Sequence, residues 1–448
     1  MEFMFIEKTI AHQRILSVLD EGSFIETGAL ITDRRDDAAA EGKGDGVVTG
    51  YGTIDGVLVF VYAQNPAYEG GSVGEMHARK ISALYNNALK MGAPVIAMID
   101  TAGIRLAEDN DSLFSFGKIL SHQADLSGVV PQIAMIMGSC GGGMAVSARM
   151  CDLVLMDKEH GKLFYNSPNA ITGSFEEKLD TSSAAYHTEK TGNCDFCGTA
   201  EEIAAAARRL IAILPHNNEE DFSEDVCADD LNRSVAGIEG LSVPEMLAEI
   251  SDEGIVCEPG AGYLKSMRTA FIRLNGRTVG VVANSTEMLC HKGSAKAAKF
   301  IRFCDAFDIP VLTLVNVKRL NGSEEAEQNL GLNLARLAEA FRTAQVPKVT
   351  VVTGAAYGTA GLVMNSKALG ADVVLAWKDA KIGAMDEGLK ADLTGEAAKG
   401  VNDTPANARR GYIDDIIDPS ETRQRVAAAF EMLYTKSVTA PQRRHSSL

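Results

Sequence analysis

The feature that most constrains this chain is an internal repeat. KMGAPVIAMID (90–100) matches AFDIPVLTLVN (306–316), and VPQIAMIMGSCGGG (130–143) matches VPKVTVVTGAAYGT (346–359). Pro94 pairs with Pro310, Pro131 with Pro347, Gly138 with Gly354 and Gly142 with Gly358, every pair 216 residues apart. Upstream, YGTIDGVLVFVYAQ resembles FIRLNGRTVGVVAN with a small shift. Solenoid units repeat every ~20–50 residues, so this period means a duplicated domain. A chain of 448 residues has room for two such domains.

Each copy reads alike. A hairpin-like β segment, 46–62 with a turn at Ile54-Asp55-Gly56, is followed by an amphipathic helix carrying Ser82, Ala83, Leu84, Ala88 and Leu89; its counterpart covers 297–307. A buried strand follows (95–99; 311–315), then a second helix (113–127; 331–345), then another buried strand (132–137; 348–353) that runs into a glycine turn and a further helix. Continuous Val/Ile/Leu runs alternating with helices predict parallel sheet covered by helices. The acidic, proline-containing stretch 217–244 reads as the linker, which gives domains 1–230 and 231–448.

The stretch MGSCGGGMAV (137–146) therefore reads as a strand-to-helix turn that occurs twice. Glycine there lets backbone N–H groups approach a ligand, with the positive end of a helix behind them. Met144 stands where the phosphate-binding GxxxxGK[ST] motif needs lysine, and GxGxxG does not fit. An oxyanion hole is the remaining chemistry, and close helix–strand packing is the alternative.

Composition narrows the partners. Net charge is −17, which argues against nucleic acid and anionic membranes. The eight cysteines are scattered, as in a reduced cytoplasmic protein; Cys194 and Cys197 lack the second pair that a structural zinc needs, and no metal site is expected. No run reaches the ~18 apolar residues of a membrane span, and the start MEFMFIEK does not read as a signal peptide.

Seven segments carry a family resemblance: 45–64, 92–109, 128–143, 275–284, 297–315, 346–361 and 410–423 (RGYIDDIIDPSETR). Together they resemble the carboxyltransferase subunits of biotin-dependent acyl-CoA carboxylases and decarboxylases, of the propionyl-CoA carboxylase β and methylmalonyl-CoA decarboxylase α types. The resemblance implies an α/β fold of two tandem homologous crotonase (ClpP-like) domains, each with β-β-α units around a mostly parallel sheet. It implies transfer of CO₂ between carboxybiotin on a partner and the α-carbon of a short-chain acyl-CoA, the N-terminal domain on the acyl-CoA side and the C-terminal domain on the biotin side. A biotin carboxyl carrier protein, biotin carboxylase or membrane decarboxylase subunits, and a homo-hexamer are the implied partners.

By the same resemblance, Gly141, Gly142 and Gly143 hold the thioester oxygen, and Gly358, Thr359 and Ala360 the biotin ureido oxygen. Gly103, Ile104, Arg105, Tyr357 and Leu362 line the substrate site. The family's D-S-G-G-A-R is here Asp100-Thr101-Ala102-Gly103-Ile104-Arg105, and its D-x-P-G-F is Asn316-Val317-Lys318-Arg319-Leu320. Two developing oxyanions call for two donor sets. The biotin nitrogen takes the proton after CO₂ has left, so no protein base is needed. His77 is expected on a helix surface or against CoA. Arg105, with Arg79, Lys80 and Lys118, is expected to meet the CoA phosphates, and Glu108 and Asp109 are expected as solvated acids at a helix start. The other readings are the carboxyltransferase subunit of a sodium-pumping decarboxylase, a crotonase-like acyl-CoA hydrolase or hydratase, and a non-catalytic assembly subunit.

Overall fold

The computed structural model describes residues 9–34, 44–166, 180–220, 227–395 and 402–438. The chain separates into two compact units, Met1–Glu220 and Asp221–Leu448.

The first unit is built on strands β1 (Ile25–Thr27), β2 (Val47–Ile54), β3 (Val57–Gln64), β4 (Val95–Thr101), β5 (Gln132–Gly141), β6 (Leu153–Asp157), β7 (Lys162–Phe164) and β8 (Phe196–Gly198). They form one sheet in the order β1-β2-β3-β4-β5-β6-β8, with β7 added beside β5. The β1–β2–β3 part is antiparallel and everything from β3 onward is parallel. The β2–β3 hairpin closes through Asp55 and Gly56, both at positive φ (50° and 83°), the backbone a tight Asp-Gly hairpin requires. Parallel neighbours need crossovers. Helix Glu75–Met91 connects β3 to β4 and helix Asp109–Leu126 connects β4 to β5. The first ends where Gly92 turns left-handed (φ 58°) and its N–H returns to Ala88 O and Leu89 O, as helix C-termini commonly do. Tyr62, Ile81, Tyr85, Phe116 and Ile136 bury themselves in the core between sheet and helices.

The second unit repeats this plan. Strands β9 (Val256–Cys257), β10 (Met267–Leu274), β11 (Arg277–Asn284), β13 (Val311–Val317), β15 (Lys348–Tyr357), β16 (Val373–Trp377), β17 (Lys381–Gly383) and β18 (Asp415–Ile417) take the same places in the same order, with β17 beside β15. A small pair, β12 (Met288–Leu289) with β14 (Arg319–Leu320), stands apart, so the 316–320 segment is strand on both sides of Lys318. The hairpin again closes on left-handed residues, Asn275 (φ 55°) and Gly276 (φ 73°). Residues from 229 onward already belong to this unit. Arg423, fully buried, donates to Asp252 Oδ1 (2.7 Å) and lies 3.3 Å from Asp229.

One expectation needs correcting. The strands expected to stop at 137 and 353 continue to Gly141 and Tyr357. Each long strand has two partners on one side. Ile133–Ile136 pair with β6 and Ser139–Gly141 with β7; Val349–Val352 pair with β16 and Ala355–Tyr357 with β17. The second partner keeps the glycine-rich half extended, so the turn itself contracts to Gly142 and Gly358.

Candidate functional site

Parallel α/β sheets bind ligands beyond the carboxyl ends of their strands, and in the first unit the β4 and β5 ends lie side by side. β5 ends at Gly141, Gly142 makes the turn at φ 57°, ψ −122°, and helix Gly143–Met150 begins. Only glycine adopts that backbone without strain. A Cβ on Gly142 would face open space, one on Gly141 would overlap the Phe164 ring, and one on Gly143 would lie 2.6 Å from Phe116. The three glycines therefore have different causes: Gly142 conformation, Gly141 and Gly143 packing. The Gly142 N–H donates to Phe164 O (3.0 Å), whereas the first N–H groups of the helix, starting at Gly143, have no intrahelical acceptor.

Opposite, the 102–105 loop leaves β4. Gly103 has φ 104° and its N–H donates to Thr101 Oγ1 (3.0 Å). Ile104 forms a parallel bridge with Val73: Val73 N–H donates to Gly103 O and Arg105 N–H to Val73 O. The Ile104 N–H takes no part in that bridge.

Arg105 does not stand ready for phosphates. Its side chain is 2% exposed, pairs with Glu108 (2.7 Å) and Glu69 (3.2 Å), and donates to Asp45 O (2.9 Å) and Ser72 O (2.8 Å). It fastens the loop. Lys80 is equally enclosed, donating to Val47 O (2.6 Å) beside Asp45. Arg79 and Lys118 remain at the surface, the first paired with Glu75 and the second over the Phe114 ring. Glu108 is no solvated acid: besides Arg105 it accepts the Glu75 N–H (2.6 Å), capping the 75–91 helix from outside.

His77 is neither surface nor ligand contact. It is fully buried, with Nδ1 on Asp45 O (3.1 Å) and Nε2 on the Gln64 amide (3.2 Å). Since Asp45 O only accepts, Nδ1 carries the proton. Burial, then the Arg105 charge, pull its pKa down to about 3, so it stays neutral. Burial pushes the Cys140 thiol up, so it is no nucleophile. Among the described residues, no cluster of three or more His, Cys, Asp or Glu could hold a metal.

The second unit has the matching turn. Gly358 (φ 53°) and Thr359 are exposed at the start of helix Gly358–Val363, with Ala360 buried behind them. A Cβ on Gly358 would come 3.0 Å from Ala384 O. Gly358, Ala356, Leu362 and Gly383 line a cavity of about 500 Å³. Tyr357 is 6% exposed, its hydroxyl pushed up by burial and then by Asp386. In the first unit the expected site residues thus follow the neighbouring β4 and β5 ends, with the Arg105 side chain turned inward, and in the second they follow the β15 end. Sequence reasoning passed over the carboxylate and amide at the β4 and β13 ends, Asp100 and Asn316, although they too lie 216 residues apart.

The carboxyl transferase domain family matches residues 7–393. The propionyl-CoA carboxylase beta chain of Roseobacter denitrificans is 38% identical across 98% of this chain and 94% of the relative. The methylmalonyl-CoA decarboxylase subunit alpha of Propionigenium modestum is 34% identical across 98% and 93%. The crystal structure of transcarboxylase 12S, described as a hexamer assembly with hydrolysed methylmalonyl-coenzyme A bound, matches with TM-score 0.91 at 34% identity, covering 98% of this chain and 92% of that one. Among the described residues no helix is long and apolar enough to cross a membrane. A duplicated strand-end turn in a chain matched over nearly its whole length in this way belongs to the carboxyl transferase domain family, as an enzyme subunit of the propionyl-CoA carboxylase beta and methylmalonyl-CoA decarboxylase alpha type.

Proposed function

We propose that this chain moves a carboxyl group between carboxybiotin on a separate carrier protein and the α-carbon of a short-chain acyl-CoA, propionyl-CoA or methylmalonyl-CoA. One observation carries the reading: both units end equivalent parallel strands in a glycine at φ near +55° that opens directly onto a helix N-terminus. Backbone donors of this kind act where an oxygen gains charge, and each donor is worth about 3–4 kcal/mol in such sites. In the first unit the Gly143 N–H, with the Ile104 N–H from the neighbouring loop, receives the thioester oxygen as the enolate forms. Neither His77 nor Glu108 is free to act as a base there, because both are engaged within the scaffold.

In the second unit the turn residues Gly358, Thr359 and Ala360 receive the ureido oxygen, with Tyr357 and Leu362 beside them. The residues fit a compact group, since Gly358 is exposed and lines a cavity of about 500 Å³ that a larger residue would narrow. When bound, biotin supplies a nitrogen that carries CO₂ and takes up a proton once the CO₂ has gone. The partners are a biotin carrier protein and either a biotin carboxylase or membrane decarboxylase subunits, and the chain assembles as a homo-hexamer.

The test is exchange of radiolabelled carboxyl between methylmalonyl-CoA and propionyl-CoA in the presence of free biotin, over a panel of thioesters. Biotin-dependent exchange with short acyl chains is expected. Thioester hydrolysis or hydration without biotin would replace this reading by a crotonase-like one. Light scattering that finds single chains at micromolar concentration removes the hexamer.

A further inference from the structure

β4 and β5 change register by two residues, near the end of β4 and midway along β5. Ile99 pairs with Ile136, but Thr101 pairs with Cys140, so Asp100 alone faces Met137, Gly138 and Ser139. β13 and β15 do the same: Val315 pairs with Val352 and Val317 with Ala356, so Asn316 faces Thr353, Gly354 and Ala355. A bulge leaves a backbone N–H without its ladder partner, and in both units one short side chain takes it. Asp100 Oδ1 accepts the Ser139 N–H (3.2 Å), and Asn316 Oδ1 accepts the Ala355 N–H (2.9 Å). Room for that side chain comes from the repeated glycine, because a Cβ on Gly138 would overlap the Asp100 carboxylate and one on Gly354 the Asn316 amide. The plug's own backbone is fixed from the preceding strand: Asp100 N–H donates to Gln64 Oε1 (3.1 Å) and Asn316 N–H to Asn284 Oδ1 (3.0 Å). Ser139 lies three residues before Gly142, and Ala355 three before Gly358.

We propose that Asp100 and Asn316 are positioning residues that set the two glycine turns by plugging the bulge behind each. The function is that of a short side-chain acceptor, and charge is not part of it, since the neutral Asn316 does in one unit what Asp100 does in the other. The Asp100 charge has a separate partner, Arg14 Nη2 at 2.8 Å on helix Ile10–Leu16, which ties that helix to the β4 end. Both groups of this pair are mostly shielded, with 13% and 16% of their side chains exposed. The inference rests on the reading of the turns as the acyl-CoA and biotin seats.

The test uses the full-length protein and four variants: Asp100→Ala, Asp100→Asn/Arg14→Gln, Asn316→Ala and Asn316→Asp. Steady-state carboxyl exchange is measured with acyl-CoA and free biotin varied separately, at a temperature where circular dichroism shows each variant folded. A shift of about 1 Å in a reacting group costs on the order of 10²-fold in rate, and a loss of that size is expected for both alanine variants. Asp100→Ala should act on the acyl-CoA parameters and Asn316→Ala on the biotin parameters. Both conservative variants should recover most of the loss, because each keeps an acceptor at the bulge. Wild-type exchange in folded Asp100→Ala and Asn316→Ala overturns the proposal. So does a loss in Asp100→Asn/Arg14→Gln equal to that in Asp100→Ala, since the charge would then be what matters. If Asp100→Ala does not fold, Asn316→Ala against Asn316→Asp decides alone. An interchange of the two substrate effects would reassign the seats and leave the positioning role standing; absence of exchange in the wild type would refute the seats and the positioning role drawn from them.

Discussion

The two units share a backbone and differ in what surrounds it. Strand order, hairpin turn, register change and turn glycine all recur. Side chains next to the turn are exchanged in complementary pairs. In the first unit Gly141 on β5 faces Phe164 on β7; in the second Tyr357 on β15 faces Gly383 on β17. Gly143 lies against Phe116, whereas its counterpart Thr359 carries a side chain and the counterpart of Phe116 is Leu332, 51% exposed. Gln132 at the start of β5 donates to Gln123 O (3.2 Å), and Lys348 at the start of β15 donates to Phe341 O and Ala344 O (2.7 and 2.9 Å). The duplicated part is the geometry that presents N–H groups. The part that diverged is the wall around them, as the proposal of a different ligand at each turn requires.

The largest effect should come from the turns themselves. Gly142→Ala forces a side chain onto a glycine-only backbone, and carboxyl exchange should fall by about 10²-fold together with α-proton exchange of the acyl-CoA in deuterated water. Gly358→Ala should lose carboxyl exchange as severely and keep acyl-CoA affinity, measured by calorimetry. Equal loss of acyl-CoA binding in both variants would break the division of labour between the units.

Stability variants sharpen the comparison further. Gly143→Ala crowds the Phe116 ring, and overpacking of this kind costs about 1–3 kcal/mol. Gly143→Ala/Phe116→Leu imitates the second unit and should regain most of that in denaturant unfolding; a double variant no more stable than the single one would show that packing is not why Gly143 is glycine.

The smallest effect is expected at Lys348. Burial, then Lys436, lower its pKa to about 8 from 10.5. A cation depressed on folding binds fewer protons in the folded chain, so its drag on stability is fully present below about pH 8 and disappears as pH rises toward 10.5. Lys348→Gln, the residue of the first unit, should raise the melting temperature at pH 7 by a few degrees at most, with the gain shrinking above pH 8. The chain has one tryptophan; it is Trp377, buried in the second unit with its indole N–H on Thr422 Oγ1 (2.9 Å), and its fluorescence reports that unit.

The repeat, the parallel strands and the crossover helices were legible in the sequence because local periodicity and the common 216-residue spacing carry them. The glycine-rich run was not legible as strand. Ser139–Gly141 remain extended because β7 pairs with them, and pairing with a distant segment leaves no mark in the local pattern. Arg105 and Lys80 sit close to the site in sequence, yet Asp45, more than thirty residues upstream, draws both into the interior. His77 follows them for the same reason. Asp100 and Asn316 could have been found, since aligning the copies puts an acceptor of the same reach opposite the same glycine.

The paired exchange at Gly141/Phe164 and Tyr357/Gly383 also governs how the two halves of the gene can evolve. Recombination that copied the β15 segment into β5 and left β7 alone would set a tyrosine against Phe164, where no room exists even for a methyl group. The reverse event would put a glycine in place of Tyr357 opposite Gly383 and leave a hole. Homogenisation of one half by the other is therefore penalised unless both strands convert together, and this keeps the walls of the two turns distinct within one reading frame.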